Sequence, residues 1–377
     1  MAAAVSKFRV LYNFTGGADG GRPVLFAAIA IDKAGNLVGP TAAGGYVGGD
    51  CPYGCGTVFA MARGEGGNWS ESVLFEVTDP ITQGYIDSPL ALDSQDDVYG
   101  CNYSGPMFEL TSGTGQWTFN AIWQYGCDYP MGLILDGAGN LYGGFGNGSS
   151  GGISELSPSP DGWVYTDLCQ QQGCEFMAEA PLSWDAKGNL YGTTFFGGDP
   201  HCNCGVAFQM TPNGDGTWAY HLMHQFTHHK DGANPHGSLT VDASGNAYGT
   251  TPNAGPYTNG NVFKLTPTKD GRWKLTVVYG FPNYKKDGLG PGNDLVLDKA
   301  GNLYGTAGSV NCNGTCGLIF KLSPQKNGKW KYSVLHNFNE TDGDFPNGLT
   351  ADSQGHLYGT TSTGGKYGYG VVFELTP

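Results

Sequence analysis

The sequence predicts an all-β protein: a seven-bladed β-propeller with four antiparallel strands per blade, closed by an N-terminal strand that completes the last blade. Three observations carry this. A short motif recurs seven times, anchored at Asp32, Asp93, Asp136, Asp185, Asp242, Asp298 and Asp352. Each anchor is followed three residues on by Gly, or by Asp96 in the second copy, and all copies but the first then carry Tyr-Gly. The chain also ends out of phase with its repeat. Fixed-period self-similarity is the signature of architectures that grow by copying one unit, so residues 1–377 are expected to form one propeller domain.

The fifth unit shows the strands. Leu239–Asp242 is a short run that enters the turn Asp242-Ala-Ser-Gly245-Asn246. Gly245 there suits the left-handed residue of a type I turn with a bulge, and the Asp carboxylate ties the turn amides. Ala247–Thr251 is the second run and Val262–Leu265 the third. An Asp270-Gly271 turn then leads into Trp273–Phe281. Four short runs of period two with turn signals between them make one blade. The fourth run opens at Trp69, Trp117, Trp163, Trp218, Trp273 and Trp330, and tryptophans recurring in register are expected to pack between blades.

Closure follows from the two ends. The chain stops at Val371–Pro377, a third run with no fourth after it, and opens with Phe8–Phe14, which resembles the fourth run Val334–Phe338. The first strand should pair with the last and leave only short edges to solvent.

Composition narrows the function classes. Charged residues are only 14% and aromatics 13%, with 64 glycines, which suits strands joined by tight turns. A formal charge of −14 argues against nucleic acid, which needs a basic footprint. No run approaches the roughly 18 apolar residues that span a bilayer. The ten cysteines cluster as Cys51/Cys55, Cys101/Cys127, Cys169/Cys174, Cys202/Cys204 and Cys312/Cys316. Disulfides persist outside the cytosol, so a secreted or periplasmic protein is expected, with no leader present in this numbering.

The repeats resemble the GloVer tandem repeats of extracellular bacterial "choice-of-anchor" proteins. The residues that carry the resemblance are Gly188–Thr194, Gly364-Gly365, Gly370–Pro377 and the Asp231–Pro235 entry. The resemblance implies an exported, often surface-tethered protein. The chain ends at Pro377 without an anchor segment, so a freely secreted or trimmed form is expected. The resemblance brings no catalytic motif with it.

All ten cysteines fall in loops on one face, where length and content vary, and variable loops on a rigid scaffold are where function is placed. Cys51–Cys55 and Cys312–Cys316 would each close a small loop, and Cys101–Cys127 would tie neighbours. Cys202 and Cys204 sit too close for an easy mutual bridge, so pairing with Cys169 and Cys174 is expected. The rival is a zinc site built from those four with His201 nearby. No cofactor is otherwise called for, and a structural calcium or zinc ion stays open.

At the channel mouth the aligned positions are Phe26, Asp87, Pro130, Glu179, His236, Gly292 and Pro346. Three are titratable. Glu179, His236 and Asp87 are the candidate catalytic residues, because a carboxylate and an imidazole converging on a wet pocket can perform general acid–base chemistry. The alternative is a hydrated channel lining. Around the rim, Arg22, His228, His229, Lys230, Tyr284, Lys285 and Asp294 are candidate substrate-binding residues, with the basic loops forming a local positive patch. The Asp-Gly pairs at Asp19, Asp231, Asp287 and Asp342 recur in register and read as turn residues. The expected function is a monomeric secreted enzyme that cleaves a polysaccharide or glycan, either a glycoside hydrolase or a polysaccharide lyase. The alternatives are a non-catalytic glycan- or protein-binding module and a surface scaffold.

Overall fold

A computed structural model describes residues 6–25, 27–48, 51–79, 83–102, 105–113, 115–125, 132–145, 152–169, 180–292, 294–309 and 316–377. Seven antiparallel sheets follow one another along the chain. In the fifth, Thr240–Val241, Ala247–Thr251, Asn261–Pro267 and Trp273–Gly280 pair in sequence order. The first blade differs in splitting its inner strand: Gly21–Pro23 and Ala30–Ile31 both pair with Leu37–Ala43. Helical structure is slight among the described residues: a 3-10 turn at Glu65–Gly67 and the helical residue Gln83, whose amide donates to the Asp79 carbonyl at 2.9 Å.

Ring closure is as the chain ends predict. Lys7–Asn13 pairs antiparallel with Val371–Thr376, with Phe8 opposite Leu375 and Val10 opposite Phe373. Asp344–Ala351 and Leu357–Thr363 supply the other two strands of that blade.

The second strand of each blade departs from simple alternation. Leu190–Thr194 and Ala247–Thr251 are buried at every position, because both faces of a blade are covered by its neighbours. The glycine of the Tyr-Gly pair has a packing cause. A Cβ on Gly249 would stand 2.6 Å from Cζ of Phe263, so the third-strand ring occupies the space a side chain would need.

The core is layered between blades. Each cluster joins one blade to the second-strand residue of the blade before it. Tyr142 joins the fourth blade, Tyr191 the fifth, Tyr248 the sixth, Tyr304 the seventh and Tyr358 the first. The repeated tryptophans meet those tyrosines edge-on: Trp218 on Tyr142, Trp273 on Tyr191, Trp330 on Tyr248 and Trp69 on Tyr358, with ring centres 5.8–6.4 Å apart. Only the first copy lacks the tyrosine, and there Trp117 packs in the cluster of Val38.

The turns work as their residues suggest. The Asp242 carboxylate accepts from the amides of Ser244 and Asn246 (2.9 Å each), the Asn246 side chain (2.7 Å) and the Tyr248 hydroxyl (3.1 Å). Gly245 takes φ +79°, and Asp96 takes the same left-handed place in the second copy at +65°.

Candidate ligand-binding face

Every loop from a fourth strand to the next blade, and every loop from a second to a third strand, emerges on one side. The described cysteines are all there. Cys51 is bonded to Cys55 as expected, and Cys101 and Cys316 are each disulfide-bonded. Cys127, Cys174 and Cys312 lie outside the described residues.

Cys202 is bonded to Cys204, which corrects the pairing expected with Cys169 and Cys174. The intervening Asn203 is left-handed at φ +53°, and the amides of Cys202 and Asn203 both donate to the Asp199 carbonyl. That turn brings the two Cα atoms to 5.2 Å, within the span a bridge requires. Bonded to each other, these sulfurs cannot serve as zinc thiolates. Among the described residues no group of three or more His, Cys, Asp or Glu side chains is placed to hold a metal ion.

Two of the three predicted catalytic residues are described, and they lie in separate blades. Asp87 is half-buried between buried Ile86 and Ser88 in the second blade. His236 is half-buried in the fifth, against the edge of Phe195 (5.9 Å, 85°), and burial pushes its imidazole down toward the neutral form. Glu179 lies outside the described residues, as do Phe26 and Pro130.

Asp294 is not a rim residue. It immediately precedes the inner strand Val296–Leu297 with only Leu295 between, and its carboxylate accepts from the Ser238 amide of the neighbouring blade at 2.6 Å. Burial pushes this carboxyl up, opposed by the Ser238 hydrogen bond. Inner strands at this level are also tied blade to blade: the hydroxyls of Ser183, Thr240 and Thr350 donate to the carbonyls of Leu239, Leu295 and Ile29.

The other rim residues lie on loops of the first, fifth and sixth blades. Arg22 is exposed and left-handed (φ +51°), its guanidinium 6.0 Å from the Tyr53 ring centre. His228, His229 and Lys230 are exposed and line an open groove of about 910 Å3 with Asn253, Pro256 and Thr258. Tyr284 and Lys285 are exposed on the next loop, with the Lys285 ammonium 5.9 Å from the Tyr284 ring centre; they do not line that groove. The Asp-Gly carboxylates are occupied within their loops. Asp19 accepts from Tyr12 and Thr15, and Asp231 from His224 and Thr227.

Sequence reasoning missed a set of tyrosines. Tyr46, Tyr257 and Tyr367 are 44%, 54% and 48% exposed on the second-to-third-strand loops of blades one, five and seven. Each closely follows a Gly-Gly or Ala-Gly pair, and that recurrence was the signal available. With Tyr53, Tyr125, Phe196, Tyr284, Phe345 and Tyr369, they account for every strongly exposed aromatic side chain among the described residues, and all are on this face.

A family model for the Gloeobacter/Verrucomicrobia repeat matches residues 100–316 and, overlapping, residues 177–377. The chain belongs to that family. The expected GloVer-type repeat is therefore present. No curated protein matches the chain in sequence. Among solved structures, similarity extends to a protein from Lactobacillus plantarum (TM-score 0.53, 13% identity, 81% of this chain and 84% of that one). It extends also to YCF48 bound to D1 peptide (TM-score 0.55, 12% identity, 100% and 96% covered). A third is a protein of unknown function from Dyadobacter fermentans DSM 18053 (TM-score 0.50, 11% identity, 99% of each chain). At such identities the likeness is one of fold. No helix among the described residues is long and apolar enough to cross a membrane, and the disulfides are compatible with a secreted protein.

Proposed function

We propose that the loop-rich face of this Gloeobacter/Verrucomicrobia-repeat propeller binds a polysaccharide or glycan outside the cytosol. The observation that carries the reading is the confinement of the strongly exposed aromatic rings, among the described residues, to this one face. A flat ring offers its electron-rich surface to the C–H face of a sugar, and tyrosine adds a hydroxyl for hydrogen bonding. Repetition of the tyrosine in blades one, five and seven suits a chain-like ligand engaged at several points, where linked weak contacts multiply. The reading is tested by affinity electrophoresis against a panel of soluble polysaccharides. Wild type should be retarded, and the Tyr257→Ala/Tyr367→Ala double variant should lose at least about tenfold in affinity. Equal retardation of the two would remove the basis for this reading.

Cleavage of the bound glycan, by hydrolysis or elimination, is supported by a more local observation. Two ionisable groups of adjacent blades are displaced in opposite directions, His236 toward the neutral base and Asp294 toward the neutral acid. Groups pushed apart in this way suit paired acid and base roles. Ser238, whose amide donates to Asp294, is two residues from His236. Reducing ends, or the absorbance of unsaturated products, would report cleavage. His236→Ala and Asp294→Asn should abolish it while leaving retardation intact.

A further inference from the structure

Blades one, five and seven build the same entry loop from different residues. Its left-handed position is Gly16 (φ +74°), His228 (+61°) and Glu340 (+68°). In each, that residue's amide closes the loop by donating to the carbonyl of Gly20, Gly232 or Gly343 at 3.0–3.2 Å. A carbonyl of the loop then accepts from a glycine amide of the facing loop: Gly45 to Gly17 at 2.8 Å, Gly255 to His229 at 2.9 Å and Gly365 to Glu340 at 2.7 Å. The first blade makes this loop as Gly16-Gly17-Ala18, so side chains are not needed to form it. The fifth places His228-His229-Lys230 in the same three positions and holds His228 in a conformation unfavourable to any residue with a Cβ. A loop that closes without side chains, yet carries two imidazoles and an ammonium, points to a ligand contact.

We infer that the groove between the entry loop and the 253–258 loop of blade five binds the acidic groups of an anionic polysaccharide. The inference rests on the carbohydrate-binding reading and specifies its ligand class. Lys230 supplies an ammonium, and the two imidazoles supply donors to a carboxylate or sulfate oxygen. Asn253 and Thr258 offer hydrogen bonds to hydroxyls, and exposed Tyr257 stands between Pro256 and Thr258. Two carboxylates stand close by: Asp231 is part of the groove lining and Asp199 lies within electrostatic reach of His229, and both accept hydrogen bonds from other residues. Asp231 accepts from His224 at 3.0 Å and from Thr227, and Asp199 from His201 at 3.0 Å. The matching loop of blade seven carries Glu340, so the site is specific to blade five and not a property of the repeat. With a formal charge of −14, the chain as a whole repels polyanions, and attachment requires a local site.

The test compares dextran with dextran sulfate, which share a backbone, and adds polygalacturonate as the carboxylate arm. His228→Gly/His229→Gly borrows the glycines of blade one and preserves folding; Lys230→Gln is the second variant. Wild type should bind dextran sulfate, polygalacturonate or both more tightly than dextran, and each variant should weaken that binding at least about tenfold. Melting temperatures should not fall in the double glycine variant. Undiminished binding by both variants, or equal affinity for dextran, overturns the inference. Failure of both anionic polymers while a neutral glycan of the panel binds overturns it alone. Failure of every glycan overturns the carbohydrate reading with it.

Discussion

Val10 is the register partner of Phe373, so the opening strand of the chain is the outer strand of its last blade. The seam is completed by Phe14, fully buried and 5.0 Å from Phe59 in the first blade. Truncating this ring leaves a cavity where both chain ends are held. Phe14→Ala should cost about 3–5 kcal/mol, read as a lowered urea midpoint. A cost near that of an exposed substitution would mean the seam contributes little to stability.

At the same seam a carboxylate takes the place of a ring. In other blades a residue late in one fourth strand stacks on one early in the next. Examples are Tyr279 on Tyr332 (4.4 Å, 7°), Trp123 on Tyr165 (5.4 Å, 7°) and His336 on Phe8 (3.6 Å, 3°). Where Tyr12 meets the first blade, the corresponding residue is Glu71. Burial, with the charge of Asp19 added, pushes its carboxyl up to about 7 despite the Tyr12 hydrogen bond. A folded-state value above the unfolded one favours the native state below about 4.5, and that contribution disappears as pH rises through about 7. Glu71→Gln should therefore be more stabilising at pH 8 than at pH 5, by about 1–3 kcal/mol. Parallel stability curves for the two proteins across that window would contradict this.

The turn aspartates act with the opposite sign. Burial raises the carboxyl of Asp242, but the hydrogen bonds from Asn246, Ser244 and Tyr248 outweigh it and hold it below the ordinary range. Asp185, Asp298 and Asp352 are held low in the same way. Their contribution is present above the usual carboxylate range near 4 and is lost as pH falls through the lower folded values. Asp242→Ala should cost about 1–3 kcal/mol at neutral pH, and its penalty should shrink in acid. Circular dichroism melts at pH 7 and pH 3 check both statements.

The Cys202–Cys204 bond makes a chemical prediction. Non-reducing peptide mapping should find both sulfurs in one peptide, two mass units lighter than the dithiol, which is about 2 Da for the hydrogens lost on bridging. Cys169→Ser should release no thiol at either position. A peptide spanning Cys202 or Cys204 cross-linked to residue 169 would refute the assignment.

Much of the ring was legible because its causes are local and repeated. Turn chemistry at Asp242-Gly245, the glycine under Phe263 and the tryptophan that meets Tyr191 each leave a mark in every copy or nearly so. The site was less legible. His228, His229 and Lys230 were identified as basic loop residues, but not the groove they line, because its other wall comes from residues 253–258 and the tie between His229 and Gly255 is a backbone bond that side-chain identity does not encode. Asp294 was taken for a rim residue because a sequence offset does not reveal how deep in the channel wall a residue sits. The Cys202–Cys204 bond depended on the left-handed backbone of Asn203.

The amino-acid sequence alone determined the number of blades, their strand order and the pairing of the two chain ends, since each follows from a periodic pattern of turns and apolar residues acting over short distances. The three-dimensional arrangement alone decided which exposed rings share one face, which carboxylates are spent inside their own loops and which basic loop opens onto a groove. Those are relations between residues of different strands and different blades, and they are set by packing and backbone geometry.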